Sequence, residues 1–192
     1  EIPLRLVGSE MCIRDRDVET QCFVKEILTR WRKPIIVDAD ALYAVKEMEI
    51  DLARCPGQLI LTPHVGEFAH LTGRTAAEVE RERIDGAVAF AMERGVTLVL
   101  KGMPTVIAAK DGFAYVNVTG NPGMATGGMG DTLTGIIAAL VGQEMDSEPA
   151  AICGVYLHGL AGDLLAKETP VGYTASEVAR MVPRAREMVT GD

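Results

Sequence analysis

Residues 121–131 read Asn-Pro-Gly-Met-Ala-Thr-Gly-Gly-Met-Gly-Asp and run directly into Leu133, Ile136, Ile137 and Leu140, which mark the apolar face of a helix. Glycine tolerates positive φ and close backbone approach, so Gly127, Gly128 and Gly130 allow successive N–H groups to point into one concavity. The start of the helix adds a partial positive charge at the same place. The stretch is therefore read as an anion hole, with Asn121, Gly127 and Gly128 in its phosphate loop. Asp131 has two readings here. It is either a base that takes a hydroxyl proton beside the bound phosphate, or a side chain that merely caps the helix.

Upstream of this loop, apolar runs alternate with helical patterns. Phe23, Val24, Ile27 and Leu28 recur at helical spacing between Val18 and Trp31, and Lys33-Pro34 stops that helix. Ile35 to Val37 reads as a buried strand ending at Asp38-Ala39-Asp40, and a helix comes next near Ala41 to Lys46. A strand over Gln58 to Leu61 ends at Thr62-Pro63-His64, and a short helix ends at Gly73. Thr75 with Glu78 forms a capping box that is expected to open one long helix to about Arg94. Val96 to Leu100 is a further strand, and Pro104 to Ala109 with Phe113 to Val118 reads as a hairpin. Beyond the loop come helices over Ala151 to Ala166 and from the capping box Thr174 to Glu177. This alternation predicts an α/β fold: a mostly parallel sheet with helices on both faces and an edge hairpin, binding its ligands at the C-terminal ends of the strands.

Composition narrows the function. With 192 residues, 48% hydrophobic and 24% charged, the chain is expected to form one globular domain. A formal net charge of -8 argues against nucleic acid or an anionic membrane as partner, so any phosphate site must be local. Cys12, Cys22, Cys55 and Cys153 lack the paired spacing of a zinc or redox site, which suits free thiols in a reducing cytoplasm. No apolar run is read as reaching the roughly 20 residues of a membrane span. Residues 1–16 show no clean periodicity and do not lead into the helical pattern that begins at Val18. Native sequence is expected to begin near Asp17, with an upstream portion missing, and residues 17–192 to form the C-terminal part of a single domain.

Taken together, VDADAL (37–42), LTPHVGE (61–67), LKGMPT (100–105), NPGMATGGMGD (121–131) and YLHGLAGD (156–163) resemble, in this order and spacing, the NAD(P)H-hydrate dehydratases of the ribokinase-like superfamily. The resemblance runs from about Asp17 to the C-terminus. It implies a ribokinase-like three-layer sandwich and an ADP-dependent dehydration of (S)-NAD(P)H hydrate to NAD(P)H, with AMP and phosphate as the other products. Position by position it implies that Asp131 is the base and that His64 and Asp131 contact the hydrated dinucleotide. Lys101, Gly102, Met103, Pro104, Thr105 and Gly130 would line the adenine nucleotide site. Glu67 would help to organise Mg2+ through water, with ADP, or else ATP, as phosphoryl donor. A cytoplasmic homo-oligomer, a homotetramer in the family, is the assembly implied.

Plainer readings stand beside these. Lys101 alone reads as a solvated strand-end lysine, His64 as a turn histidine and Glu67 as a helix-surface carboxylate. Asp38 and Asp40 either support the site or cap the next helix, and His158 and Asp163 are read as packing residues on a helix with Gly154, Gly159 and Gly162. The alternative functions are a vitamin-precursor kinase of the same fold, whose strand-end motif tends to carry asparagine where His64 stands, and an inactive nucleotide-binding fragment.

Overall fold

A computed structural model describes residues 17–191. Five strands form one sheet in sequential order, β1 (Ile35–Val37), β2 (Leu59–Leu61), β3 (Thr97–Leu100), β4 (Val106–Ala108) and β5 (Ala114–Val116). β1, β2 and β3 are parallel, with Val37 opposite Leu61 and Leu61 opposite Leu98. β4 returns antiparallel on β3, and β5 completes the expected edge hairpin. The sheet is thus mixed: a parallel half that ends in a row of functional residues and an antiparallel half beside it.

The continuous apolar runs of the sequence are explained by burial on both faces. Leu59, Leu61, Leu98, Leu100, Val106 and Ala108 enter one core with α2 (Asp40–Glu47), α3 (Val65–Thr72), α4 (Ala76–Arg81) and α5 (Arg83–Arg94). Ile60, Val99 and Ile107, one residue out of phase, enter a second core with α6 (Met129–Gly142) and α7 (Ser147–Ala166). This is the period-two logic of a sheet sandwiched between two helical layers. α1 (Val18–Arg30) extends the first layer through Leu28, and α8 (Ala175–Thr190) packs Val178 and Ala185 against α6 and α7.

Three features depart from the sequence reading. The helix expected from Thr75 to Arg94 is two helices, because Glu82, at φ −115° and ψ 31°, ends α4 and begins α5. α7 begins at Ser147, four residues early, and the Ser147 hydroxyl donates to the Gln58 side chain at the base of β2. α7 is also 20 residues long and apolar enough, by length and composition, to cross a membrane, against the expectation of no such run. Its apolar surface is used inside the protein, where Val155 and Ala151 pack under the sheet and Leu157 and Ala161 meet α8. The expected artefactual segment 1–16 lies outside the described residues, as does Cys12; Cys22, Cys55 and Cys153 are free thiols, as expected.

Close approach along α7 depends on glycine. A Cβ on Gly159 would lie 2.7 Å from the Thr119 carbonyl carbon and 2.8 Å from its oxygen, both backbone atoms that cannot rotate away. Gly159→Ala should therefore destabilise the protein by roughly 1–3 kcal/mol through overpacking. Thermal unfolding should record a fall of about 2–4 °C per kcal/mol for a chain of this size.

Candidate active site

The parallel register places the ends of β1, β2 and β3 side by side. Beyond each strand's apolar run the pattern turns polar: Asp38 comes directly after β1, and His64 and Lys101 form a parallel bridge just past β2 and β3. The Lys101 ammonium donates to Asp38 Oδ1 at 2.9 Å and stands 3.7 Å from Glu67 Oε2. Thr134, on α6, donates to the other Asp38 oxygen at 3.0 Å. Burial opposes the charged form of Asp38. The Lys101 charge and the hydrogen bonds from Lys101, Thr134 and the Ala39 backbone outweigh it and hold the carboxyl below its usual range. Asp38, open between support and capping in the sequence, is thus the partner that fixes Lys101. Thr134 carries no sequence signal beyond its place on α6.

Between the two aspartates of VDADAL, Ala39 adopts φ 50° and ψ −123°, a conformation that L residues rarely take. It brings its N–H to Asp38 and lies in the wall of the site.

His64 is the N-cap of α3. Its Nδ1 accepts from the N–H groups of Gly66 at 2.9 Å and Glu67 at 3.2 Å, so in the neutral ring the proton sits on Nε2. Glu67 reciprocates by accepting the His64 N–H at 2.7 Å, which completes a capping box. The histidine is therefore a structural cap and an exposed side chain at the same time, with Nε2 3.5 Å from Glu67 Oε1.

α6 opens differently. α3, α4 and α8 each carry a capping box, whereas Gly128, the residue before α6, has φ 82° and offers no side-chain cap. Asp131 sits in the first turn of α6, exposed, and does not cap it; the capping alternative for Asp131 is thereby removed. Of the three loop glycines expected to exploit positive φ, only Gly128 does so. Gly130 faces the pair at ordinary contact distance, where a Cβ would lie 3.4 Å from Lys101 Nζ and 3.9 Å from Asp38 Oδ2. Asn121 spends its side chain on the loop itself: it accepts from Gly123 N–H and Tyr173 and donates to Asp163, which also accepts from Gly120 N–H. Asp163 is a structural residue, as its place on a packing helix suggests.

Two cavities adjoin at Lys101, Gly102 and Gly130. The first, about 580 Å³, is walled by Asp38, His64, Glu67 and Asp131. The second, about 740 Å³, runs along Gly102 to Thr105 and under the loop to Leu133, Val155 and His158, and is more apolar. Every residue of the expected substrate, nucleotide, magnesium and phosphate-loop sets borders one or the other except Gly127, which faces open space. The His158 side chain is pushed down from 6.5 to about 4 by burial, against a hydrogen bond to the Met129 backbone, and its buried Nε2 has no partner in the structure.

Among the described residues no group of three or more His, Cys, Asp or Glu is arranged to hold a metal ion. The hard oxygen donors beside the site, Glu67 and Asp38, suit a magnesium ion that keeps most of its water and is bound mainly by phosphate.

Comparison with known proteins agrees with this geometry. A family model described as NAD(P)H-hydrate dehydratase matches residues 15–184. A bifunctional NAD(P)H-hydrate repair enzyme of Moorella thermoacetica is 51% identical over 153 residues, 80% of this chain and 29% of that protein. The ADP/ATP-dependent NAD(P)H-hydrate dehydratase of Bacillus subtilis, co-crystallised with ATP and Mg2+, superposes with a TM-score of 0.82 at 36% identity, covering 90% of this chain and 61% of that one. A ribokinase-like protein of Enterococcus faecalis superposes with a TM-score of 0.76 at 30% identity, covering 90% and 60%. The chain thus spans under a third of the bifunctional relative and about three-fifths of the two solved structures.

The titrating and strained groups can be tested directly. The folded state keeps His158 neutral while the unfolded chain protonates it below about 6.5, so stability should fall between pH 6.5 and about 4, by an amount on the order of 3 kcal/mol. Below that, Asp38 has the opposite charge but the same sign of linkage: its contribution is present above the unfolded carboxyl range and is lost as pH falls through its lower folded value. Denaturation at stepped pH should show the first segment flattened in His158→Leu and the second in Asp38→Asn. Ala39→Gly should stabilise the chain by roughly 1 kcal/mol by relieving its backbone, read as a raised midpoint in urea. The fold is ribokinase-like, and the chain belongs to the NAD(P)H-hydrate dehydratase family.

Proposed function

We propose that this chain carries the ADP-dependent dehydration of NAD(P)H hydrate, restoring NADH or NADPH with release of AMP and phosphate. The observation that carries this reading is the placement of Asp131, exposed and free of any capping role, beside an uncapped helix start and in the same cavity wall as His64. The hydrated ring would occupy that cavity, and the nucleotide the adjoining apolar one along Lys101 to Thr105. The shared wall at Lys101, Gly102 and Gly130 is where phosphoryl transfer would take place. Lys101 to Thr105 and Gly130 thus keep the nucleotide role expected of them, His64 and Asp131 the substrate role, and Gly128 the phosphate-loop role.

The C6 hydroxyl of the hydrate is a poor leaving group. Asp131 takes its proton as the oxygen attacks the terminal phosphorus of ADP, the bond to the bridging oxygen breaks, and AMP leaves. The ring nitrogen lone pair then expels phosphate from C6, and loss of a proton from C5 restores the double bond. N–H groups at the start of α6 and the Lys101 ammonium stabilise the charge on the transferring group. Magnesium, held through water by Glu67, would neutralise phosphate charge. His64, locked by its cap, orients the substrate with its Nε2 edge. The family suits a cytoplasmic homo-oligomer, and the net charge of -8 suits a free dinucleotide rather than nucleic acid or an anionic membrane.

Incubation of the chain with NADH hydrate, Mg2+ and ADP or ATP should restore absorbance near 340 nm, and Asp131→Asn should lower the rate by about 10²–10⁴-fold while leaving nucleotide affinity largely intact. Recovery that persists in Asp131→Asn would remove Asp131 as the base.

A further inference from the structure

Arg83 lies outside every motif that points to the site, in the charged run Glu80-Arg-Glu-Arg-Ile84 that reads as a solvated helix surface. The structure buries it, leaving its side chain only 9% exposed. The break at Glu82 makes Arg83 the first residue of α5, and its guanidinium is spent in two directions. Nε and Nη2 grip both carboxylate oxygens of Glu80, at 2.8 to 3.1 Å. Nη1 donates to the carbonyl of Lys101 at 3.4 Å and to that of Pro104 at 3.2 Å. These two carbonyls bracket the loop that joins β3 to β4 and separates the two cavities.

Gly102, inside that loop, has φ 151°, and a Cβ there would lie 2.6 Å from both Nη1 and Nη2. The Nη1–Nη2 edge of the guanidinium therefore occupies the space that a side chain at position 102 would take. From the inner side the loop is closed by its own short contacts, in which the Thr105 hydroxyl donates to Gly102 O at 3.0 Å. From the outer side it is held by Arg83.

We infer that Arg83 is a positioning residue for the nucleotide: clamped by Glu80, it fixes the Lys101–Thr105 loop in the shape that receives the phosphates and sugar of the adenine nucleotide. It does not line the ligand cavities, so its effect passes through the loop. A planar fork with two carbonyl acceptors and one carboxylate is a task that lysine, with a single rotating ammonium, cannot perform. This inference rests on the proposed nucleotide site.

The test compares the wild-type chain with Arg83→Lys, Arg83→Gln and Gly102→Ala, the last displacing the guanidinium without removing it. Binding of ADP by calorimetry and amide hydrogen exchange of residues 101–105 without ligand are measured on each, with thermal unfolding as the check on folding. Arg83→Lys and Gly102→Ala should both weaken ADP roughly tenfold, the scale of one lost charge-assisted contact. They should also speed exchange in the loop, and in turnover the KM for nucleotide should rise with kcat and the KM for hydrate little changed. A merely structural role would lower the unfolding midpoint and leave the loop's exchange and the KM ratio as in wild type, which overturns the inference. If Arg83→Gln fails to fold, Arg83→Lys decides the matter, since Gly102 itself borders both cavities. A wild-type chain that binds no ADP overturns the nucleotide reading itself, and loop exchange that still rises in Arg83→Lys would then show the clamp to serve something else.

Discussion

The ion pair between Lys101 and Asp38 joins residues 63 positions apart in the chain and draws three elements of the site to one point. It is possible because β1 and β3 lie parallel on either side of β2, with Val37 and Leu98 level across Leu61. Thr134 carries the same contact to α6 by donating to the other Asp38 oxygen. An unpaired lysine or aspartate in so covered a position would be costly, so each holds the other in place. The start of α6, and Asp131 with it, is thus tied to the sheet through Thr134 and the charged pair it meets.

That contact also sets the electrostatics. Lys101 is shared between Asp38 and Glu67, and Asp131 adds a third carboxylate to the same cavity wall. One ammonium against three carboxylates leaves the cavity acidic, in keeping with the net charge of -8 for the whole chain. A nucleoside diphosphate would not enter such a site on the strength of Lys101 alone. On the proposed reading, the helix start, where backbone N–H groups are not met by a side-chain cap, and a divalent cation would supply the missing positive charge.

The strands are legible in the sequence because burial on both faces leaves long apolar runs with nothing polar to confuse the pattern, as in Leu98 to Leu100. Asp131, His64 and Lys101 are legible because each comes after such a run at a strand end or closes a glycine-rich turn. The break at Glu82 is not, since both halves of that stretch keep helical spacing and no Gly or Pro marks the join. Arg83 is hidden by the same fact: in one continuous helix it belongs to a charged surface, and only the new start of α5 turns it under the loop. The early start of α7 is hidden because Ser147 reaches its partner, Gln58, across 89 residues. At Gly130 the sequence suggests conformational freedom that the backbone does not use, since its φ is not positive.

On the proposed reading, the two cavities would separate recognition from chemistry. Apolar lining along Met103, Pro104, Leu133 and Val155 can hold a base and sugar without regard to charge, and it is built on the antiparallel half of the sheet with α6 and α7. The charged wall of Asp38, His64 and Glu67 is built on the parallel half, with Asp131 facing the same cavity from α6. The loop from Lys101 to Thr105 is the hinge between these halves, since it carries the chain from β3, the last parallel strand, into the hairpin. A shift of that loop would move the nucleotide's phosphates relative to Asp131 even if both cavities kept their shape. Nucleotide affinity would be sensitive to such a shift because the loop borders both cavities. The constraint on the loop from its outer side, at Arg83, thus bears on where a nucleotide is held, while Asp131 bears on the proton.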